Sequence, residues 1–370
     1  MPKSFLVSLL ALVAALAVPL IPICRAQAGA PVAPAVPPTV RIVDPAAAPA
    51  ATRVNHKKTD QMRGFSMRLV EPSEKGIQTY LDAIDELADM GCTWINLSLA
   101  AHQDNVRSEA IFLEKTNTPS DKDILRVMAR AKSRGMGVML MPVVLLNNSG
   151  SKDWRGIIAP PNWDTWFASY VQFITGMARI AQQGDVDIFV VGSELLSTES
   201  FRERWVGTIA QIKKVYKGKL TYSSNWDHYE SVTFWDQLDY VGMNNYYELA
   251  KKPGVPVAEL NKTWEPIKKN ILEFAAKQKK PFMFTEVGWH NLVNTLSEPW
   301  NYVAEGPMDF NEQLHAFQSF IESWQTVPNQ QFMGAFIWEW YPGGHFGDRG
   351  TYSLQGTPAL EEVKKWFAAP

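Results

Sequence analysis

The sequence holds only two cysteines. Cys24 falls in an N-terminal apolar leader and Cys92 stands just before a predicted strand. With the leader removed no second thiol remains, so an internal disulfide is excluded. Cys92 then reads as a small buried hydrophobe rather than a reactive thiol. An excess of one charge is missing too. The 36 Lys and Arg against 38 Asp and Glu leave a formal net charge of −2, and no basic block stands out. A nucleic-acid partner held by such a block is excluded. The six histidines are scattered, and none shows a ligand spacing such as two His four apart on a helix, so no metal is expected. The sequence has no glycine-rich phosphate loop, no Ser-His-Asp arrangement and no short-period repeat. No cofactor is expected.

A long apolar run occurs only at the start. Lys3 precedes apolar residues from Phe5 to Ile23, followed by Ala26-Gln27-Ala28. This is the pattern of a secretory signal peptide over 1–28. A retained anchor and a lipoprotein at Cys24 are the alternatives. Pro19 and Pro22 oppose a straight spanning helix, and bulky Ile21-Pro22-Ile23 opposes the lipoprotein. The expectation is a secreted or periplasmic protein, membrane-anchored only as a minor alternative, with no membrane partner after cleavage. Residues 29–54 are rich in Ala, Pro and Val and read as an extended, disordered linker.

From Arg63 onward short apolar runs alternate with longer amphipathic ones, the signature of repeated β-α units. Gly76 to Met90, for example, places Ile77, Tyr80, Leu81, Ile84, Leu87 and Ala88 on one helical stripe. Strands are predicted at 63–69, 93–99, 137–144, up to Glu194, 219–225, 238–246, up to Glu286, and 332–340. Helices are predicted at 76–90, 121–133, 163–183, 200–216, 262–277, 309–324 and 358–367. The fifth unit is weakest, since 227–237 has room only for a short helix. Eight strands in this length predict an α/β fold, a single-domain (β/α)8 TIM barrel over 55–370, with its active site at the C-terminal face.

Two strands end in a carboxylate. Val186-Asp-Ile-Phe-Val-Val-Gly-Ser-Glu194 is the fourth and Pro281-Phe-Met-Phe-Thr-Glu286 the seventh. Strands four and seven face each other across an eight-stranded barrel. Strict alternation puts Val190, Gly192 and Glu194 on one face, and Phe282, Phe284 and Glu286 on one face. Two carboxylates flanking one bond are what glycoside hydrolysis requires. The plainer alternative for each acid is an ion pair at the barrel rim. Glu339, on the eighth strand, is a third acid and the rival for a catalytic role.

Four segments carry a resemblance: Thr285-Glu286-Val-Gly-Trp289, Gly192-Ser-Glu194-Leu, Asp239-Tyr-Val-Gly-Met-Asn-Asn-Tyr246-Tyr, and Tyr352-Ser-Leu-Gln-Gly-Thr-Pro358-Ala. The chain resembles the clan A glycoside hydrolases over about 63–367, and within them glycoside hydrolase family 113, the retaining endo-β-1,4-mannanases. The resemblance implies that Glu194 is the acid/base, Glu286 the nucleophile, and Tyr246 a hydroxyl near the nucleophile, with Tyr247 second and simple packing as the alternative. It also implies a tryptophan under the reacting sugar, Trp338 or Trp340. Most of the clan has Asn before the acid/base, at the sugar 2-hydroxyl; here Ser193 stands there. Asn225 is the candidate for that contact, with Asn245 a further polar candidate at the end of strand six.

The 14 tryptophans fit a sugar groove, because sugar C–H faces stack on aromatic planes. Trp226 and Trp289 follow strand ends and are groove candidates, and His290 follows the strand-seven motif closely enough to touch substrate. Trp94, Trp166, Trp205 and Trp324 sit inside elements and read as core. The expected function is retaining hydrolysis of a β-linked polysaccharide or oligosaccharide, β-1,4-mannan first. A β-glucan or other β-hexoside hydrolase on the same frame, and a non-catalytic carbohydrate-binding barrel, are the alternatives.

Overall fold

A computed structural model describes residues 61–150, 152–344 and 351–369. The predicted leader over 1–28 and linker over 29–54 lie outside the described residues, as does His345. Eight parallel strands close a barrel in sequence order, with β8 returning to β1. They are β1 (Met62–Arg68), β2 (Trp94–Gln103), β3 (Gly137–Leu146), β4 (Ile188–Ser193), β5 (Lys219–Ser224), β6 (Val241–Asn245), β7 (Phe282–Val287) and β8 (Phe332–Ile337). Seven α-helices among the described residues cover it: α1 (Glu74–Asp89), α2 (Asp121–Ser133), α3 (Trp163–Gln183), α4 (Arg202–Val215), α5 (Val257–Gln278), α6 (Phe310–Trp324) and α7 (Pro358–Ala368). The β5–β6 connection carries only two single helical turns, Tyr229–Ser231 and Trp235–Gln237, as its short length predicted.

Local chemistry sets the helix starts. Ser120 caps α2 by accepting from the Asp123 N–H, and Asp309 caps α6 by accepting from the Asn311 and Glu312 N–H groups. The fifth helix begins at Val257, five residues before the predicted 262. Pro256 is its cap, with φ −64° already suited to a helix entry, and Leu260 extends the buried stripe of Trp264, Ile271 and Ala275 backwards.

The core has two layers. Between strands and helices lies the large outer layer, which takes Trp166, Trp205, Trp264 and Trp324. Inside the barrel Met62, Trp94, Met139, Met141, Val143, Ile188, Val190, Met283 and Phe336 fill the lower part. Above that plug the interior turns polar. Asn96 donates to Ser66 Oγ at 3.0 Å, and the Ser223 and Thr285 hydroxyls meet at 2.6 Å.

Register is where the strands differ. β2 and β3 pair without interruption from Trp94↔Gly137 to Gln103↔Leu146. The β4–β5 ladder shifts between Val190 and Ser193, the β6–β7 ladder between Met243 and Asn244, and the β7–β8 ladder twice, the second time between Phe284 and Val287. Such shifts re-aim side chains at barrel rims. They overturn the alternation expected from sequence. Phe284 packs outward on Phe320 and Trp324, at 5.8 and 4.9 Å between ring centroids, whereas Met283 faces in. Glu286 therefore does not share a face with Phe282 and Phe284; the shift turns it to the interior. On β4, Val190 faces in, but a Cβ on Gly192 would meet Trp205 and Tyr170 of the outer layer at 2.8 Å. Glu194 returns to the mouth through a left-handed backbone, φ +54°.

Candidate active site

At the C-terminal mouth Glu194 and Glu286 stand together, joined by β6. Asn244 is register-paired with Glu286, and its side-chain Nδ2 donates to Glu194 Oε1. The other end of that amide is also held: Asn244 Oδ1 accepts the Trp226 backbone N–H at 2.9 Å. Tyr246, two residues on and therefore on the same face, donates its hydroxyl to Glu286 Oε2 at 2.9 Å. Glu194 Oε2 meets Arg155 Nη2 at 2.6 Å. Arg155 comes from a single helical turn, Arg155–Ile157, in the long β3–α3 connection.

Electrostatics couple the two acids. Burial pushes the Glu286 carboxyl up to about 8, and the Glu194 charge adds to the rise; the Arg155 guanidinium and the Tyr246 hydrogen bond oppose it. Burial and the Glu286 charge likewise raise the Tyr246 phenol well above its ordinary value, so it remains a donor.

The backbone of Glu194 is fixed from behind. Its N–H donates to Ser223 O at 2.8 Å, and the next N–H, of Leu195, donates to the Tyr222 hydroxyl at 2.8 Å. That hydroxyl donates to the buried Glu199 at 2.9 Å, which also accepts from Ser231 at 2.6 Å. This chain holds the left-handed turn that aims Glu194.

Glu339 is occupied elsewhere. It takes a two-pronged contact from Arg68, Nε to Oε2 at 2.5 Å and Nη2 to Oε1 at 2.8 Å. The plain rim ion pair thus describes Glu339. Trp338 is half-buried at the mouth, its ring 5.9 Å from the Arg68 guanidinium carbon, and a cis peptide joins it to Glu339.

The remaining candidates divide. Asn225 and Trp226 lie half-buried past β5, and Trp226 stacks on the exposed Trp300 at 5.7 Å. Asn245 is fully buried, and the alternation that sends Asn244 and Tyr246 to the carboxylates turns it away from them. Trp289 is not a groove residue: it is fully buried against Phe317, Phe320 and Trp264 in the outer layer. Trp340 does not share the face of Trp338. It packs edge-on to Phe65 at 5.2 Å in the outer layer, because β8 ends at Ile337 and alternation stops there. His290 is buried beside Tyr352, and burial lowers its pKa.

Sequence reasoning missed Arg155, Asn244 and Glu199. Asn244 was readable, since it stands two residues before Tyr246. Arg155 lies in a loop without periodicity. Among the described residues no group of His, Cys, Asp and Glu is arranged to hold a metal ion.

Comparison with known proteins agrees with this geometry. The β-mannanase AaManA from Alicyclobacillus acidocaldarius, solved in complex with ManMIm, superposes with TM-score 0.73 at 26% identity, over 83% of this chain and 97% of its own. A β-1,4-mannanase of family 113 gives 0.72 at 25%, over 84% and 100%. A family 5 mannosidase variant from Rhizomucor miehei, at 11% identity and TM-score 0.58 over 83% and 92%, shares the fold. No curated protein matches the chain by sequence. The profile of Glycoside Hydrolase Family 113 matches residues 76–349, most of the barrel, and the chain belongs to that family of glycoside hydrolases.

Proposed function

We propose that this enzyme is a retaining β-1,4-mannan hydrolase with Glu286 as nucleophile and Glu194 as acid/base. The observation that carries the assignment is Asn244, which is level with Glu286 across the β6–β7 ladder and bonds Glu194 through its amide. One strand position that adjoins both acids favours the short separation of about 5–5.5 Å found in retaining enzymes over the wider gap that admits a water. The mannanase relatives favour mannan over other β-hexosides.

In the first step a Glu286 oxygen attacks the anomeric carbon while Glu194 delivers a proton to the departing glycosidic oxygen. A glycosyl ester forms and the leaving sugar departs as an alcohol. Esterification removes the Glu286 charge. Glu194, now a carboxylate, takes a proton from water whose oxygen attacks the same carbon, releasing Glu286. Two inversions give net retention. Tyr246 steadies the nucleophile, and the half-buried Trp338 supplies the stacking surface for the reacting sugar. The apolar leader supports export to the periplasm or outside the cell.

The deciding experiment is incubation with β-1,4-mannan and mannooligosaccharides, with product sizing and NMR of the first anomer released. Cleavage with the β-anomer first is expected. Binding without cleavage would sink the enzymatic reading, and an initial α-anomer would remove the nucleophile role from Glu286.

A further inference from the structure

The connection between β7 and α6 carries an aromatic surface that none of the steps above uses. Trp300 is 44% exposed and Tyr302, two residues on, is 78% exposed. Two sets of contacts tie Trp300 to the carboxylates. Its ring stacks on Trp226, 5.7 Å between centroids and 27° between planes. The Trp226 backbone N–H donates to Asn244 Oδ1 at 2.9 Å, and the same amide donates to Glu194. From the other direction, the Tyr352 hydroxyl donates at 2.5 Å to the carbonyl of Pro299, the residue before Trp300. The Tyr352 ring lies 6.1 Å from that of Tyr246, which donates to Glu286.

Trp226 and Trp300 have different parts in this stack. Trp226 is half-buried, with the Tyr247 ring 4.9 Å away and the Tyr247 hydroxyl donating to its carbonyl at 3.0 Å. It is the buttress. Trp300 rests on it and leaves much of its own ring to solvent. Apolar surface left in water is unfavourable, and the C–H face of a sugar ring is suited to cover it. Topology gives the side of the groove. Trp338 and the Arg68–Glu339 pair belong to β8 and β1, whereas β5, which leads into Trp226, stands four strands from β1 in the closed order. With the reacting sugar over Trp338 and Glu194 delivering its proton to the departing oxygen, the stack joined to Glu194 through Asn244 stands on the departing side.

We propose that Trp300, backed by Trp226, is the stacking platform for the departing part of the mannan chain. This rests on the retaining reading above, which makes Glu194 the acid. The test divides leaving groups. Mannopentaose lays sugars on both sides of the broken bond. A β-mannobiosyl fluoride lays them on the retained side and releases fluoride. In both cases kcat/KM compares the first transition state with free enzyme and free substrate. In Trp300→Ala the ratio of kcat/KM on mannopentaose to that on the fluoride is expected to fall about tenfold, and in Trp300→Phe, which keeps a flat ring, most of it should return. Trp300→Leu keeps apolar bulk without a flat face and serves if the alanine variant does not fold. An unchanged ratio overturns the proposal. If both rates hold, no departing sugar uses the ring; if both fall together, the ring serves the fold or the reacting sugar. A ratio that rises puts Trp300 on the retained side and overturns it likewise. A wild type that leaves mannopentaose uncleaved would overturn the reading of the function itself.

Discussion

The β2–β3 edge and the β4/β7 pair are built from the same strand chemistry but differ in regularity. Across β2 and β3 ten consecutive residue pairs keep one register, with buried residues on both faces. Both carboxylate-bearing strands break register within a few residues of their glutamate. A strand in strict alternation aims residues i and i+2 alike, which suits packing. A site needs side chains at positions that alternation does not supply. The comparison teaches that this barrel is regular where it only supports and irregular where it acts.

The largest way to probe that contrast is to remove an acid. Glu286→Ala deletes the attacking oxygen and is expected to lower kcat/KM by on the order of ten-thousandfold or more. Azide should rescue it as an α-glycosyl azide, seen by NMR. Glu194→Ala costs about a hundred- to ten-thousandfold on mannooligosaccharides, the usual contribution of general acid–base catalysis. With an aryl β-mannoside whose leaving group needs no proton, the deficit should shrink in the pre-steady-state burst. An equal loss on both substrates would deny Glu194 the acid role.

Tyr246→Phe removes one hydrogen bond to a charged nucleophile, worth about 1.5–3 kcal/mol, so a loss of roughly ten- to a hundredfold in kcat/KM is expected. The sign of its pH effect follows from the bond, which favours ionised Glu286. Without it the acid limb of kcat/KM moves to higher pH. A smaller effect concerns stability. The Glu286 carboxyl in the fold is raised to about 8 from an ordinary 4.5, mainly by burial. Its contribution is present below about pH 4.5 and is lost as pH rises through 8. Glu286→Gln does not titrate, so its Tm relative to the wild type should climb across that window, by roughly 2–4 °C for each kcal/mol the wild type loses. A difference independent of pH would show that the burial of Glu286 is not opposed by the fold.

How much of this was legible follows the same division. The eight runs, the helix stripes and the two strand-end acids could be read because period 2 and period 3.6 hold in most of the chain. Trp166, Trp205 and Trp324 were placed in the core for that reason, and the structure buries each of them. Reading failed where period ends. Alternation carried Phe284 and Glu286 to one face, Trp340 was offered beside Trp338, and Asn245 was named at the end of strand six where Asn244 was not. A register shift is the work of a neighbouring strand, so nothing local in the sequence marks it. Trp289 was assigned to a groove by its nearness to Glu286, yet it turns outward to fill the space between α5 and α6. Arg155 is more than thirty residues from its partner in sequence and has no pattern of its own.

The smallest expected effect on catalysis comes from a matched pair of substitutions. Leu97→Ala, at the middle of β2, empties a fully buried site in the outer layer. It should cost about 2–4 kcal/mol of stability and leave kcat/KM within about twofold, since strands either side keep register and no bond runs from it to the mouth. Gly192→Ala adds a single carbon instead. Its Cβ would meet the Trp205 and Tyr170 side chains at 2.8 Å and Tyr222 at 3.0 Å, and Tyr222 is the residue that holds the Leu195 N–H behind Glu194. Overpacking of this kind costs about 1–3 kcal/mol, less than the cavity, yet the displaced ring lies one bond from the turn that aims the acid. A fall of about tenfold in kcat/KM is therefore expected for Gly192→Ala. Thermal melts and steady-state kinetics on the two variants read both axes at once. If stability and activity fall in proportion in both, the barrel transmits strain evenly, and the regular and irregular halves do not differ in the way their registers indicate.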